Sequence, residues 1–150
     1  MTEVSIFRLY VLRATYLLIV AGVGLTIWPL LLDAPEKVDH FRGVTWCLLG
    51  TVALLACLGV RYPLKMLPLL IFELVWKVTW LLAIGLPLRS TGQLVGAFSE
   101  TWFANLLGIV IFPLAIPWSY VVRKYIREPG DPWSSSGTSS PEVGAERSHS

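Results

Sequence analysis

Glu73 and Lys77 lie inside an apolar run from Leu64 to Leu86, and no other residues of this sequence have a clearer capacity for chemistry. On an α-helix they are i and i+4, neighbours on one face, with the glutamate on the N-terminal side, the favourable order for pairing. Lys65 and Arg89 bracket the run, and Lys77 is twelve residues from each, near the middle of the span. Glu73 is eight residues in from Lys65, ~12 Å along a helix axis. A charge at the centre of a membrane helix costs about 2.5–3.5 kcal/mol on insertion scales. Pairing offsets part of that cost, because the two side chains together present a nearly neutral unit. Trp76 and Trp80 share their side of the helix, as do Met66, Leu69 and Ile84. The opposite side is aliphatic, with Leu64, Ile71, Val75, Val78 and Leu82. One face suits a helix bundle or a cavity, the other lipid.

Two uses of such a pair compete. It can be glue, with the indoles of Trp76 and Trp80 near the carboxylate and Lys77 capping a free carbonyl of another helix. Or it can be a site for an ion, a proton or a polar headgroup, since intramembrane charges are functional candidates by default. Arg13 is a candidate third member. If Arg8 marks the surface, Arg13 lies ~7 Å deeper, within reach of the level of Glu73. The competing expectation is that Arg13 turns back to the headgroups.

The remaining polar features carry weaker signals. Asn105, Pro113 and Pro117 fall in the fourth apolar run. Each proline frees the carbonyl four residues earlier, which predicts a kink, for packing or for offering carbonyls to Lys77 or a ligand. Arg123, Lys124 and Arg127 form a basic cluster after that run, suited to anionic lipid headgroups at ~1 kcal/mol each. Cys47 and Cys57 are ten residues apart in one run, ~15 Å along a helix, too far for a disulfide within it. Neither cysteine belongs to a CxxC motif, and His40 and His149 lie outside the apolar runs. No metal site and no cofactor are expected. There is no nucleophile–base arrangement and no glycine-rich phosphate loop.

The elements that must position these residues are membrane helices. Hydrophobic residues make up 55% of the 150 and charged residues 15%, with a mean hydropathy of +0.65, far from a soluble domain. Four segments, about 9–32, 44–60, 64–86 and 102–122, approach or exceed the ~20 apolar residues that span a bilayer as a helix. The first is too long for a signal-peptide core and ends without a small-x-small site, so it is expected to be retained. Arg61-Tyr62-Pro63 forms a tight turn between the second and third segments, which makes them antiparallel neighbours. Small residues on the second (Cys47, Gly50, Ala53, Cys57) and the first (Ala21, Gly22, Gly24) predict close helix approach. Trp28, Trp46, Trp102, Trp118 and Tyr120 fall near segment ends, as interfacial aromatics do. Residues 129–150, rich in Ser, Gly, Pro and Glu, read as a disordered polar tail after a four-helix domain of residues 1–128.

Arg8, Arg13, Arg61, Lys65, Arg123, Lys124 and Arg127 mark one side of the membrane, and Lys37, Arg42 and Arg89 the other. Seven against three puts both termini in the cytoplasm. The expected fold is therefore an all-α polytopic membrane protein, an antiparallel four-helix bundle of the cell (inner) membrane. A net charge of +2 gives no reason to expect nucleic acid. The lipid bilayer is the expected partner, with a homo-oligomer or larger membrane complex possible on these faces. Three functions fit: a non-catalytic accessory, scaffold or assembly protein; a small oligomeric transporter or channel using Glu73 and Lys77; or a lipid- or quinone-binding enzyme with Glu73 as base. The absence of a catalytic constellation favours the first.

Overall fold

The computed structural model describes residues 4–33, 38–93 and 95–130, and all regular structure among them is helical. Four helices are long and apolar enough to cross a membrane: Ile6–Asp33, His40–Arg61, Leu67–Ser90 and Ala97–Ala115. The expected polar tail falls almost entirely outside the described residues, as do Lys37 and His149.

Local chemistry explains the boundaries. Ser5 starts the first span by accepting a hydrogen bond from the Arg8 amide at 3.3 Å. The turn after the second span is longer than Arg61-Tyr62-Pro63, because the Met66 amide closes back on the Tyr62 carbonyl at 3.2 Å. The third span then starts at Leu67, with Pro68 in the first turn, where its missing amide costs nothing. It runs past the expected end at Leu86 to Ser90. A π turn at Leu81–Gly85 precedes Pro87 and carries the helix through it. The next loop is correspondingly short, with Gly92 (φ 71°) and Gly96 (φ 57°) in the left-handed region that favours glycine. The fourth span begins at Ala97, five residues before Trp102, with Glu100 in its first turn facing the positive end of the helix dipole.

The largest departure from expectation is at the end of the fourth span. Pro113 stays within the helix, but the chain leaves helical geometry at Ile116 (ψ 123°) and Pro117 (ψ 83°). It restarts as Trp118–Val121 and continues as a π turn, Val122–Arg127. A helix ending at Ala115 and a break thus replace the expected kinked helix to Val122. Pro117 has no amide to give the Pro113 carbonyl, and the Trp118 indole N–H takes its place at 2.9 Å.

The first span packs chiefly on the second and the third on the fourth, with further contacts between first and fourth and between second and third. Leu12, Tyr16 and Ile19 meet Val52, Ala56, Leu67, Leu70, Phe112 and Ile116 in one buried cluster. Tyr16 is fully buried there, and its hydroxyl donates to the Pro63 carbonyl at 3.0 Å. Its ring occupies the space that a side chain at Gly59 would need. The small-residue face of the second span is accordingly Gly50, Ala53, Ala56 and Gly59, while Cys47 and Cys57 are exposed. Gly24 meets Ala53 as expected, but Ala21 and Gly22 are exposed. Trp102, which the sequence places near a segment end, is buried against Gly85 with the Arg89 guanidinium 5.4 Å from its ring centroid.

Overpacking the Tyr16–Gly59 contact should cost about 1–3 kcal/mol. Thermal unfolding of Gly59→Ala in detergent micelles should therefore show a clear loss of stability. Gly22→Ala, which meets nothing within 4 Å, should melt with the parent. Equal melting of both variants would show that this contact does not hold the first two spans together.

Candidate functional site

The third span supplies the charges of the site and the fourth supplies the wall opposite. Glu73 is 1% exposed and Lys77 8%, and the lysine ammonium is ion-paired to Glu73 Oε2. The ammonium also lies 4.1 Å from the centroid of the Trp76 ring and 5.3 Å from that of Phe112. A carboxylate and two π faces together replace the water that this cation would otherwise hold. Its aliphatic stem lies across Gly108, where a Cβ would come within 2.7 Å of Lys77 Cδ and 2.8 Å of Cε. Gly108 is therefore the notch in the fourth span that receives the lysine.

Glu73, Trp76 and Lys77 line a cavity of about 350 Å³. Asn105, Gly108, Ile111 and Phe112 line it from the fourth span, Ile19, Gly22 and Val23 from the first, and Leu49 from the second. Its rim includes Leu18 and Leu107, which are 48% and 59% exposed on the outer face of the helices. The cavity thus opens sideways between the first and fourth spans. The volume is in the range of small-molecule pockets, and most of the wall is apolar, as in such pockets.

Two polar atoms of these residues are buried without a hydrogen-bond partner, Glu73 Oε1 and Asn105 Nδ2. Asn105 is 2% exposed and belongs to the site rather than only to helix packing. Its membership was readable in part: Thr101, Asn105, Gly108 and Phe112 recur at helical spacing on one face of the fourth span. Nothing in the sequence, however, says which neighbour that face meets.

The other candidate residues lie apart. Arg13 places its guanidinium 5.7 Å from the centroid of the Tyr10 ring, one turn back on its own helix, and is not brought to Glu73. Trp80 packs at Gly85, outside the cavity. Ile84, expected on the same face, is 43% exposed. The π turn adds a residue per turn and moves the inward position to Gly85. The carbonyl freed by Pro117 is taken by Trp118, so it is not a partner for Lys77. Arg123 lines a separate polar cavity with Ser5, Arg8, Ser119 and Tyr120, and Lys124 pairs with Glu128 at 2.6 Å. Arg127 joins Trp118 and Arg123 around a shallow neighbouring hollow. Among the described residues no group of His, Cys, Asp and Glu could hold a metal ion.

Four apolar helices with a charge pair buried between them are the architecture of a multi-pass helical membrane protein. No protein-family model, no curated protein and no solved structure matches the chain.

The pair and its surroundings predict strong coupling. Glu73→Gln or Lys77→Met alone leaves one buried charge without its counter-ion, at a cost of about 3–5 kcal/mol. The double variant removes both charges and should cost much less than the sum. Denaturant unfolding of the four proteins in micelles checks this, and additive losses would show that the two side chains do not depend on each other. Gly108→Ala should destabilise by about 1–3 kcal/mol by displacing the lysine stem.

Proposed function

We propose that this protein is a non-catalytic accessory protein of the cell membrane that holds a lipid-soluble ligand beside Glu73 and Lys77. The observation that carries this is the sideways opening of the cavity past Leu18 and Leu107. A molecule dissolved in the bilayer can enter there without crossing water. The apolar wall supports a ligand that is mostly hydrocarbon. The internal neutralisation of Glu73 by Lys77 supports binding of a neutral molecule over passage of an ion. Taking up a proton would cost Glu73 its ion pair with Lys77 and leave the buried ammonium without a counter-ion, which weighs against a general base.

In this proposal the four spans form an antiparallel bundle with both termini in the cytoplasm. The sevenfold cluster of Lys and Arg on one side supports that orientation. So does the shared cavity of Ser5, Arg8, Ser119 and Arg123, which brings the start of the first span and the segment after the fourth to one end. Arg123, Lys124 and Arg127 would meet anionic headgroups there. Outer faces carrying Val75, Val110 and Leu114 supply surface for lipid or for further membrane subunits.

Two measurements test the proposal. A diazirine-bearing dodecyl probe, photolysed in membranes containing the protein, should label residues 104–112 and 18–23 above the lipid-facing background at Val75 and Leu114. Gly22→Leu, which grows into open space at the cavity wall, should reduce that labelling severalfold. Uniform labelling unaffected by the variant would sink the ligand-binding function. Reporter fusions at the C-terminus should be active only as cytoplasmic reporters, and the reverse result would invert the topology.

A further inference from the structure

We propose that the polar cavity between the start of the first span and the segment after the fourth binds the phosphate group of an anionic phospholipid, held by Arg8 and Arg123. This deepens the proposed headgroup contact of Arg123 and rests on that reading. It is independent of the ligand beside Glu73.

The cations of this protein fall into two kinds. Arg13, Arg61, Lys65 and Arg89 each lie beside an aromatic ring, and Lys77 and Lys124 each pair with a carboxylate. Among the described residues Arg8, Arg42, Arg123 and Arg127 have neither kind of partner. Two of these four, Arg8 and Arg123, line one cavity of about 340 Å³. They are far apart in sequence, and the break at Ile116–Pro117 is what brings them to the same place.

The wall of this cavity offers donors and cations. No described carboxylate lines it. Two guanidinium groups, always charged, repel each other across it, and an anion between them replaces that repulsion with two attractions. The Ser5 hydroxyl oxygen accepts from the Arg8 amide at 3.3 Å, and its O–H remains to donate. The hydroxyls of Ser119 and Tyr120, also in the wall, make no hydrogen bond among the described residues. A phosphate group, with its several acceptor oxygens and its fit to the arginine fork, matches this set of groups.

The surroundings of the cavity say what carries the phosphate. Ile6 and Phe7, in the same turn as Arg8, and Ile126, one turn beyond Arg123, are strongly exposed. Apolar side chains there belong among acyl chains, so the two arginines stand at the boundary with the headgroups, where lipid phosphates lie. A choline or ethanolamine headgroup brings a cation of its own, and the wall has no described carboxylate to hold it. A phosphatidylglycerol or phosphatidic acid headgroup brings none. The site therefore selects a phosphate that is not accompanied by a positive charge.

The test uses the full chain in dodecyl maltoside micelles at fixed ionic strength. Phosphatidylglycerol or phosphatidylcholine is titrated in, and the first lipid adduct is followed by native mass spectrometry. The parent should bind phosphatidylglycerol about tenfold or more tighter than phosphatidylcholine. Arg8→Gln and Arg123→Gln should each weaken phosphatidylglycerol about tenfold and phosphatidylcholine far less. Arg8→Lys keeps the charge but loses the planar fork, and should restore only part of that loss. Arg61→Gln, the same charge change at the same end of the bundle but outside the cavity, should bind as the parent does. Equal weakening by Arg8→Gln and Arg61→Gln would overturn the cavity site and leave a diffuse attraction of the basic end for anionic lipid. Equal affinity of the parent for the two lipids would overturn both. Displacement of phosphatidylglycerol by glycerol 3-phosphate or inorganic phosphate, at concentrations near the Kd of the lipid itself, would assign the site to a soluble phosphate and overturn the lipid.

Discussion

The ion pair of Glu73 and Lys77 is the constraint around which the third and fourth spans are arranged. Either charge alone, near the middle of an apolar helix, would cost several kcal/mol. Their i, i+4 placement lets the pair form within one helix, before any other helix is present. Tertiary packing then completes the environment of the cation with Trp76 from the same helix and Phe112 from the fourth. Gly108 makes that approach possible, because any side chain there would occupy the path of the lysine stem. Satisfying the cation in this way leaves the anion only half satisfied, with Glu73 Oε1 buried and without a hydrogen-bond partner.

The backbone and the small polar side chains obey the same rule more quietly. Thr15, Thr26, Thr45, Thr51, Thr79 and Thr101 each donate their hydroxyl to the carbonyl four residues back, closing their hydrogen bonds within their own helices. Tyr16 reaches the Pro63 carbonyl, and Trp118 reaches the carbonyl that Pro117 strands. In an apolar environment every polar group has to find such a partner inside the protein. Against that background the unpartnered atoms of Glu73 and Asn105 stand out among the described residues.

Irregular helix geometry does positive work in this fold. The π turn at Leu81–Gly85 shifts the inward face of the third span by one residue, so that Gly85, not Ile84, meets Trp102. The break at Ile116–Pro117 separates the fourth span from the basic segment that follows and turns Arg123 toward Arg8. Both features place side chains that a continuous helix would have sent elsewhere.

The sequence by itself determined the four apolar helices, their all-α class and the neighbour relation of Glu73 and Lys77. These depend on run length and on the fixed 3.6-residue period, which act within a single helix. It could not locate Asn105 in the wall facing Glu73, Gly108 beneath the lysine, or Gly59 beneath Tyr16. Nor could it show that Cys47 and Cys57 face outward or that Trp102 is buried. Each of those depends on which face of one helix meets which face of another. A π turn or a proline break can rotate that meeting by a residue without any change in the apolar pattern. The cavity exists only between helices, so only the tertiary structure decided that the buried charge pair lies beside one.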